Sequence, residues 1–251
     1  MEIILNRGYK FKAKPTQEQK EFFMKSFGCT RKIYNYYVDN LYKQLEQQNY
    51  KNGFIKGIKY ITPAKIKKQF RRVLFRSSLA LCNAQIDFKN AISKFNKEYD
   101  KKSYSKRSKK REKTLGITPT FKDLKGMPNF KSIKNNDFSY KTNNQSRGGK
   151  WNDIKLQNKL LYIPKLKIPI KIIQHRDLPK NSIIKNVTIS MDYKGIFYVS
   201  LCIEYTKNIE QKKSEKILGL DYSQHDFYYS SEDKTGNYPK YYKIMQEKLK
   251  L

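Results

Sequence analysis

The hydrophobic period of this chain changes twice, from two to helical and back to two. Residues 9–14, YKFKAK, alternate strictly, with Tyr9, Phe11 and Ala13 on one side and Lys10, Lys12 and Lys14 on the other. That is the pattern of a half-buried strand with a basic outer face. Pro15 stops it, and Thr16 followed by Gln19 reads as a capping box opening a helix. Phe23, Phe27, Tyr34, Val38, Leu41 and Leu45 then recur at helical intervals, predicting one long helix or two broken at Gly28. Residues 49–60 read as a loop, and Thr62-Pro63 as the start of another helix. A further helix is expected from Ser78 to Tyr99, with Leu81, Phe88, Ile92, Phe95 and Tyr99 on one face. From Met127 onward short strand-like runs return at 159–163, 166–173, 183–190 and 196–204. The last two form a hairpin about Asp192-Tyr193-Lys194-Gly195.

One strand, a helical block and then several strands predict an α+β fold in which helices are inserted into a small β-barrel. Barrels of that size often bind oligonucleotides. A second β unit is expected from Lys216, with ILGLDYS, then DFYYSS, a turn at Glu232–Gly236 and a helical KYYKIMQEKLKL.

Charge narrows the partner. The 251 residues hold 54 Lys+Arg against 22 Asp+Glu, a formal net charge of +32 spread along the whole chain. A compact body with that excess repels itself unless a polyanion neutralises it, and phosphate contacts by Lys and Arg supply most non-specific nucleic-acid affinity. Twenty Tyr and 14 Phe lie among the basic residues, and aromatic faces stack on unpaired bases. A general cationic protein remains the alternative on charge alone. Residues 101–113, KKSYSKRSKKREK, hold eight basic residues and one acid without apolar period, which is a flexible linker, a phosphate-binding arm, or both. Cys29, Cys82 and Cys202 are far apart, with no C-x-x-C pair, so neither a disulfide framework nor a zinc site is expected. No apolar stretch approaches the ~20 residues of a membrane span, and the start lacks a signal-peptide pattern, so a cytoplasmic protein without membrane attachment is expected.

Three blocks, taken in order, resemble one family. They are YKFKAKPTQEQKEFF with RKIYNYYVDNL; GMPNFKSIKNNDFSYKTNNQ, followed later by LPKNSIIKNVTISMDYKGIFYVSLCIEY; and ILGLDYSQHDFYYSSEDKTGNYPKYYKIMQEKL. In this order the chain is similar to the TnpB, or OrfB, family of bacterial insertion-sequence proteins, labelled accessory transposases. The resemblance covers most of residues 1–48, 78–99 and 126–251. It implies a wedge-type β-barrel interrupted by a helical recognition lobe, followed by the beginning of a RuvC-type, RNase H-like domain. The corresponding divisions are residues 1–14 as the first barrel strand, 15–125 as the helical lobe with its basic linker, 126–213 as the rest of the barrel, and 214–251 as the start of the nuclease domain. Guide RNA and target DNA are the partners it implies, with base pairing reading sequence and the protein reading backbone shape and a short flanking motif.

In the family's G-x-D motif the aspartate ends the first strand of the nuclease sheet, which the resemblance places at Asp221 of Gly219-Leu220-Asp221. Cleavage of this type uses several carboxylates around two Mg2+ ions roughly 3.5–4 Å apart. The family's later glutamate and second aspartate, and its zinc-finger cysteines, are expected beyond Leu251, so the chain as written is expected to be a carboxy-terminally truncated, inactive form that binds no metal. Asp226, Glu232 and Asp233 read as solvated turn acids, and His175 and His225 as incidental. For nucleic-acid contact the candidates are Lys10, Lys12 and Lys14, then Arg31 and Asn35 on the first helix, then Lys131 and Lys134 around the FKS segment.

Three functions stand at this point: a member of an RNA-guided endonuclease family, a cleavage-dead RNA-guided DNA-binding repressor, and a general basic RNA-binding protein. Residues 70–77, FRRVLFRS, interrupt the resemblance, carry three arginines in a chain whose cations are mostly lysine, and equal the translation of the end of a sequencing adapter. They are expected to be foreign to the protein, so Arg71, Arg72 and Arg76 are not assigned to target recognition.

Overall fold

The computed structural model describes residues 2–70, 78–98, 103–135, 138–147, 150–151, 153–208, 218–223, 225, 227–232, 236, 240–241 and 245–246. The expectations for Arg71, Arg72, Arg76, Tyr99, Asp226, Asp233 and most of the carboxy-terminal helix lie outside them. The chain divides into two compact units, residues 3–207 and residues 1–2 with 208–251.

The larger unit is α+β. Its strands are β1 (Glu2–Lys14), β2 (Ser139–Asn143), β3 (Ser146–Arg147), β4 (Lys150–Trp151), β5 (Lys155–Gln157), β6 (Leu160–Tyr162), β7 (Ile170–Ile173), β8 (Ile183–Met191) and β9 (Phe197–Asn208). Its helices are α1 (Gln17–Gln47), α2 (Pro63–Gln69), α3 (Ser78–Lys97) and α4 (Lys106–Leu115). Seven strands form one sheet in the order β2-β8-β9-β1-β7-β6-β5, and β3 and β4 pair separately.

Alternation does what the sequence predicts in β1: Tyr9, Phe11 and Ala13 are buried while Lys10, Lys12 and Lys14 are exposed. The strand extends back to Glu2, beyond the alternating hexapeptide. The β8–β9 hairpin also forms as expected. At its turn Asp192 Oδ1 accepts from the amides of Lys194 and Ile196, both at 2.9 Å, and Gly195 takes the left-handed conformation at φ +76° that its missing Cβ permits.

Hydrogen bonding among the described strands does not close the sheet into the expected barrel. Its edges, β2 and β5, are joined instead by one side chain. Asn144, just after β2, accepts from the Ile154 amide at 3.0 Å and donates to the carbonyls of Ile154 (3.3 Å) and Ile184 (2.8 Å). Short strands leave too few backbone groups for a ladder there, and a buried amide does the same work at one point.

Helix α1 begins with the predicted capping box, in which Thr16 N donates to Gln19 Oε1 at 3.0 Å and Gln19 N to Thr16 Oγ1 at 3.3 Å. It runs unbroken through Gly28. A mid-helix glycine costs about 1 kcal/mol, whereas burying a phenylalanine or isoleucine contributes about 1.5–3 kcal/mol; Phe27 and Ile33, on either side, are both buried and so win. The helix belongs to two cores. Phe23 and Phe27 pack with the sheet's Tyr9, Tyr140, Phe197 and Leu201. Ile33, Tyr37, Val38, Leu41 and Leu45 pack with Ile66 of α2 and Leu81, Phe88 and Phe95 of α3.

Irregular segments are held by side-chain amides that grip one residue's backbone at both its N–H and its C=O. Gln44 holds Lys59 (2.8 and 2.9 Å), Asn96 holds Ile55 (both 3.0 Å) and Asn35 holds Lys131 (2.8 and 2.9 Å). Each grip imitates a neighbouring strand one residue long. The loop at 49–60 is thereby fixed against α1 and α3.

The basic run at 101–113, expected as a linker or arm, is helical from Lys106 as α4. Ser105 caps it, accepting from Ser108 N at 3.3 Å, and Gly116 ends it at φ +63°. In the smaller unit β10 (Leu220–Ser223) and β11 (Phe227–Ser230) form an antiparallel hairpin.

Candidate nucleic-acid interface

Most of the nucleic-acid candidates fall into two places within the larger unit. The first is the outer face of the sheet. Lys10, Lys12 and Lys14 leave β1 on the solvent side, and the register continues the row across the sheet. Lys14 lies directly opposite Lys171 of β7, Lys171 opposite Leu160 of β6, and Leu160 opposite Gln157 of β5. Lys155 and Tyr162 are cross-strand partners on the same face, because each lies two residues from a member of that row. Like charges directly opposite on a sheet are destabilising, and among the described residues none of Lys10, Lys12, Lys14 and Lys171 has an ion-pair partner. Aromatic rings alternate with them: the Lys10 Nζ lies 4.4 Å from the centroid of Tyr198, and Tyr162 is exposed. Lys155, Tyr162, Lys171 and Tyr198 were not singled out from the sequence. The period-two runs around them were the available signal, but register decides which residues line up.

The second place is a cleft of about 170 Å3 between α1, α3 and β2, lined by Thr30, Arg31, Asn83, Asp87, Lys131, Ser139, Lys141 and Thr188 among others. Its walls are stitched together through the free edge of β2. Thr30 Oγ1 donates to the Ser139 carbonyl at 3.3 Å, and Asn83 Nδ2 donates to the Lys141 carbonyl at 3.1 Å. Helix side chains thus satisfy an edge strand that would otherwise offer itself to other chains. Among the described residues three cations, Arg31, Lys131 and Lys141, line this cleft with one carboxylate, Asp87. Arg31 lies with its Cζ 5.9 Å from the Phe138 centroid, and Lys131 with its Nζ 4.3 Å from that of Tyr34. Asn35, a candidate for contact, has both amide groups engaged with the Lys131 backbone and positions that residue. Lys134 is exposed in a short 3-10 turn, Ile133–Asn135, beyond the cleft.

The segment carrying Lys131 rests on Tyr42, whose hydroxyl donates to the Pro128 carbonyl at 2.7 Å and bonds Asn129 Oδ1 at 3.1 Å. Burial, with the nearby Tyr34 and Asp123, pushes the Tyr42 phenol up to about 12.

Asp221 stands exposed on β10, opposite Tyr229 of β11. Ser231 secures the preceding glycine: Gly219 N donates to Ser231 Oγ at 3.0 Å, and Ser231 N to the Gly219 carbonyl at 2.9 Å. Among the described residues no three His, Cys, Asp or Glu side chains are grouped so that they could hold a metal ion. Cys29, Cys82 and Cys202 form no disulfide among the described residues. Among the described residues no helix is long and apolar enough to cross a membrane.

Residues 1–51 match the helix-turn-helix domain of the IS605-type OrfB family. No curated protein matches the chain. Within residues 2–51 the structure is a strand followed by one unbroken helix, β1 and α1, so the matched region offers a basic strand face and a helix flank in place of two helices about a turn.

Proposed function

We propose that this chain, which belongs through residues 1–51 to the OrfB family of IS605-type insertion sequences, is a nucleic-acid-binding protein of the transposase class. The observation that carries the reading is the outer sheet face. A row of lysines without ion-pair partners among the described residues, two of them directly opposed, is a surface whose repulsion a phosphate backbone relieves. Tyrosines between the lysines add ring faces suited to unpaired bases. The cleft supplies a second, more constrained set of cations.

The finer reading is RNA-guided recognition of DNA. What supports it is the resemblance of the three sequence blocks, together with a basic sheet face suited to backbone contacts. Guide RNA and target DNA are then the polyanions held, with Lys10, Lys12 and Lys14 on phosphates and Arg31, Lys131 and Lys141 lining the cleft. Asp221 is, in this reading, the first carboxylate of a RuvC-type site whose other ligands the described residues do not supply.

Binding of the purified chain to a fluorescent RNA hairpin and to a DNA duplex, followed against salt, tests the reading. Log K is expected to fall linearly with log[salt], with a slope of several units. Arg31→Gln with Lys141→Gln is expected to weaken binding by roughly tenfold and change the slope by about two or less. Binding insensitive to salt, or no binding, overturns it.

A further inference from the structure

Helix α4 is opposed by its own sequence. Its ten residues carry six cations and one acid. Lys106, Lys109, Lys110 and Lys113 recur at i, i+3, i+4 and i+7, so they share one face over about 10 Å of axis. Like-charged neighbours at those spacings destabilise a helix. Lys106 and Arg107 also sit in the first turn, where the macrodipole favours anions. No apolar stripe compensates, since the one buried residue is Ser108. None of the six cations has an ion-pair partner among the described residues.

The arm is nevertheless clasped at its base. Ser105 N donates to the Asp123 carbonyl at 2.9 Å and Lys125 N to the Ser103 carbonyl at 2.8 Å, flanking an antiparallel bridge between Tyr104 and the buried Leu124. At the far end Leu115 and Ile117, 67% and 43% exposed, flank the left-handed Gly116. The result is a basic rod with a small apolar tip.

We propose that residues 105–120 are an arm for double-helical nucleic acid, with the lysine stripe lying along phosphates and Leu115 and Ile117 wedged against the bases. This rests on the nucleic-acid reading above and adds the element and the form of ligand. A double helix presents regularly spaced charge to a straight stripe. Single strands are gripped by stacking on aromatic rings, and residues 105–120 contain none. Proteins that bind the minor groove frequently set apolar wedges between base steps beside their basic contacts. Two exposed aliphatic residues are too little to hold the chain at a lipid surface.

The test uses the full chain and a fluorescent DNA duplex of about 20 base pairs, with the corresponding single strand beside it. Lys106, Lys109, Lys110 and Lys113 are replaced together by Gln, which keeps a similar helix propensity. The salt slope for the duplex should fall by roughly three to four, at about 0.9 per lost phosphate contact, while single-strand binding changes less. Leu115→Ser with Ile117→Ser should leave the slope in place and abolish the fluorescence rise of a 2-aminopurine reporter in the duplex. If the parent binds the duplex and the Gln variant keeps its slope, the arm is not on phosphate and the proposal falls. An equal loss on both probes overturns the duplex assignment, and an unchanged 2-aminopurine signal overturns the wedge. A parent chain that binds neither probe overturns the wider nucleic-acid reading instead.

Discussion

On the outer sheet face the lysines of β1 are exposed, with Lys10 over the Tyr198 ring and the backbone held by the strand ladder, whereas in the cleft Arg31 and Lys131 lie against aromatic rings and the Lys131 backbone is also gripped by an asparagine. The first arrangement suits a backbone that slides, because mobile ammonium groups follow phosphates without fixing register. The second suits a contact that must be geometrically fixed, because the entropy of placing the cations has already been lost in folding. If both places hold nucleic acid as proposed, affinity and position are separable by mutation.

The largest effect should come from the exposed face. Lys10→Glu, Lys12→Glu and Lys14→Glu together should lower affinity for an RNA hairpin roughly a hundredfold and flatten the salt slope by about three, with the unfolding midpoint unchanged or raised. A salt titration beside a denaturant melt checks both, and an unaltered slope would break the comparison at its stronger side.

Alkaline pH should attack the cleft. The folded protein holds the Tyr42 phenol near 12 against about 10 in an unfolded chain. Its contribution is therefore complete below pH ~10 and is lost as pH rises through about 12, by roughly 2 kcal/mol across the window. Denaturant midpoints measured across that range should fall in the parent and fall less in Tyr42→Phe; parallel curves would remove Tyr42 from the account.

Asn35→Ala should destabilise the protein by about 1–2 kcal/mol, because it leaves the Lys131 N–H and C=O without partners. If Asn35 acts by positioning Lys131 on a phosphate, the salt slope should fall by up to about one, because one cation contact is lost. A lower affinity with an unchanged slope and intact stability would instead make Asn35, an uncharged side chain, part of the contact surface itself.

Asp221→Ala should have the smallest effect, within about 0.5 kcal/mol in a thermal melt and without change in nucleic-acid affinity, since the carboxylate is exposed. A large stabilisation would reveal a carboxylate held against its electrostatic preference, as in a metal site.

Much of this was legible in the sequence where the signal was local. YKFKAK sorts its own residues between core and solvent, Thr16 and Gln19 are three residues apart, and Asp192 bonds amides two and four residues on. The helical face from Phe23 to Leu45 was equally plain, although period alone did not show that α1 serves two cores. Strand β2, SYKTN, carries no apolar alternation strong enough to announce itself, and becomes a strand because β8 and two helices surround it. Helix α4 was hidden for the opposite reason: with no apolar stripe there is no period to read, and its caps alone mark its ends.

By itself, then, the sequence determined the α+β succession, the basic strand face of Lys10, Lys12 and Lys14, and a charge that calls for a polyanion, because each follows from period or composition within a few residues. The tertiary structure alone decided that Lys14 confronts Lys171, that Lys141 joins Arg31 and Lys131 in one cleft, and that Asn35 holds Lys131 in place. It also decided that the sheet stays open at β2 and β5, bridged by Asn144. These contacts join residues from ten to more than a hundred and fifty positions apart, and strand register and helix packing, which no local pattern encodes, bring them together.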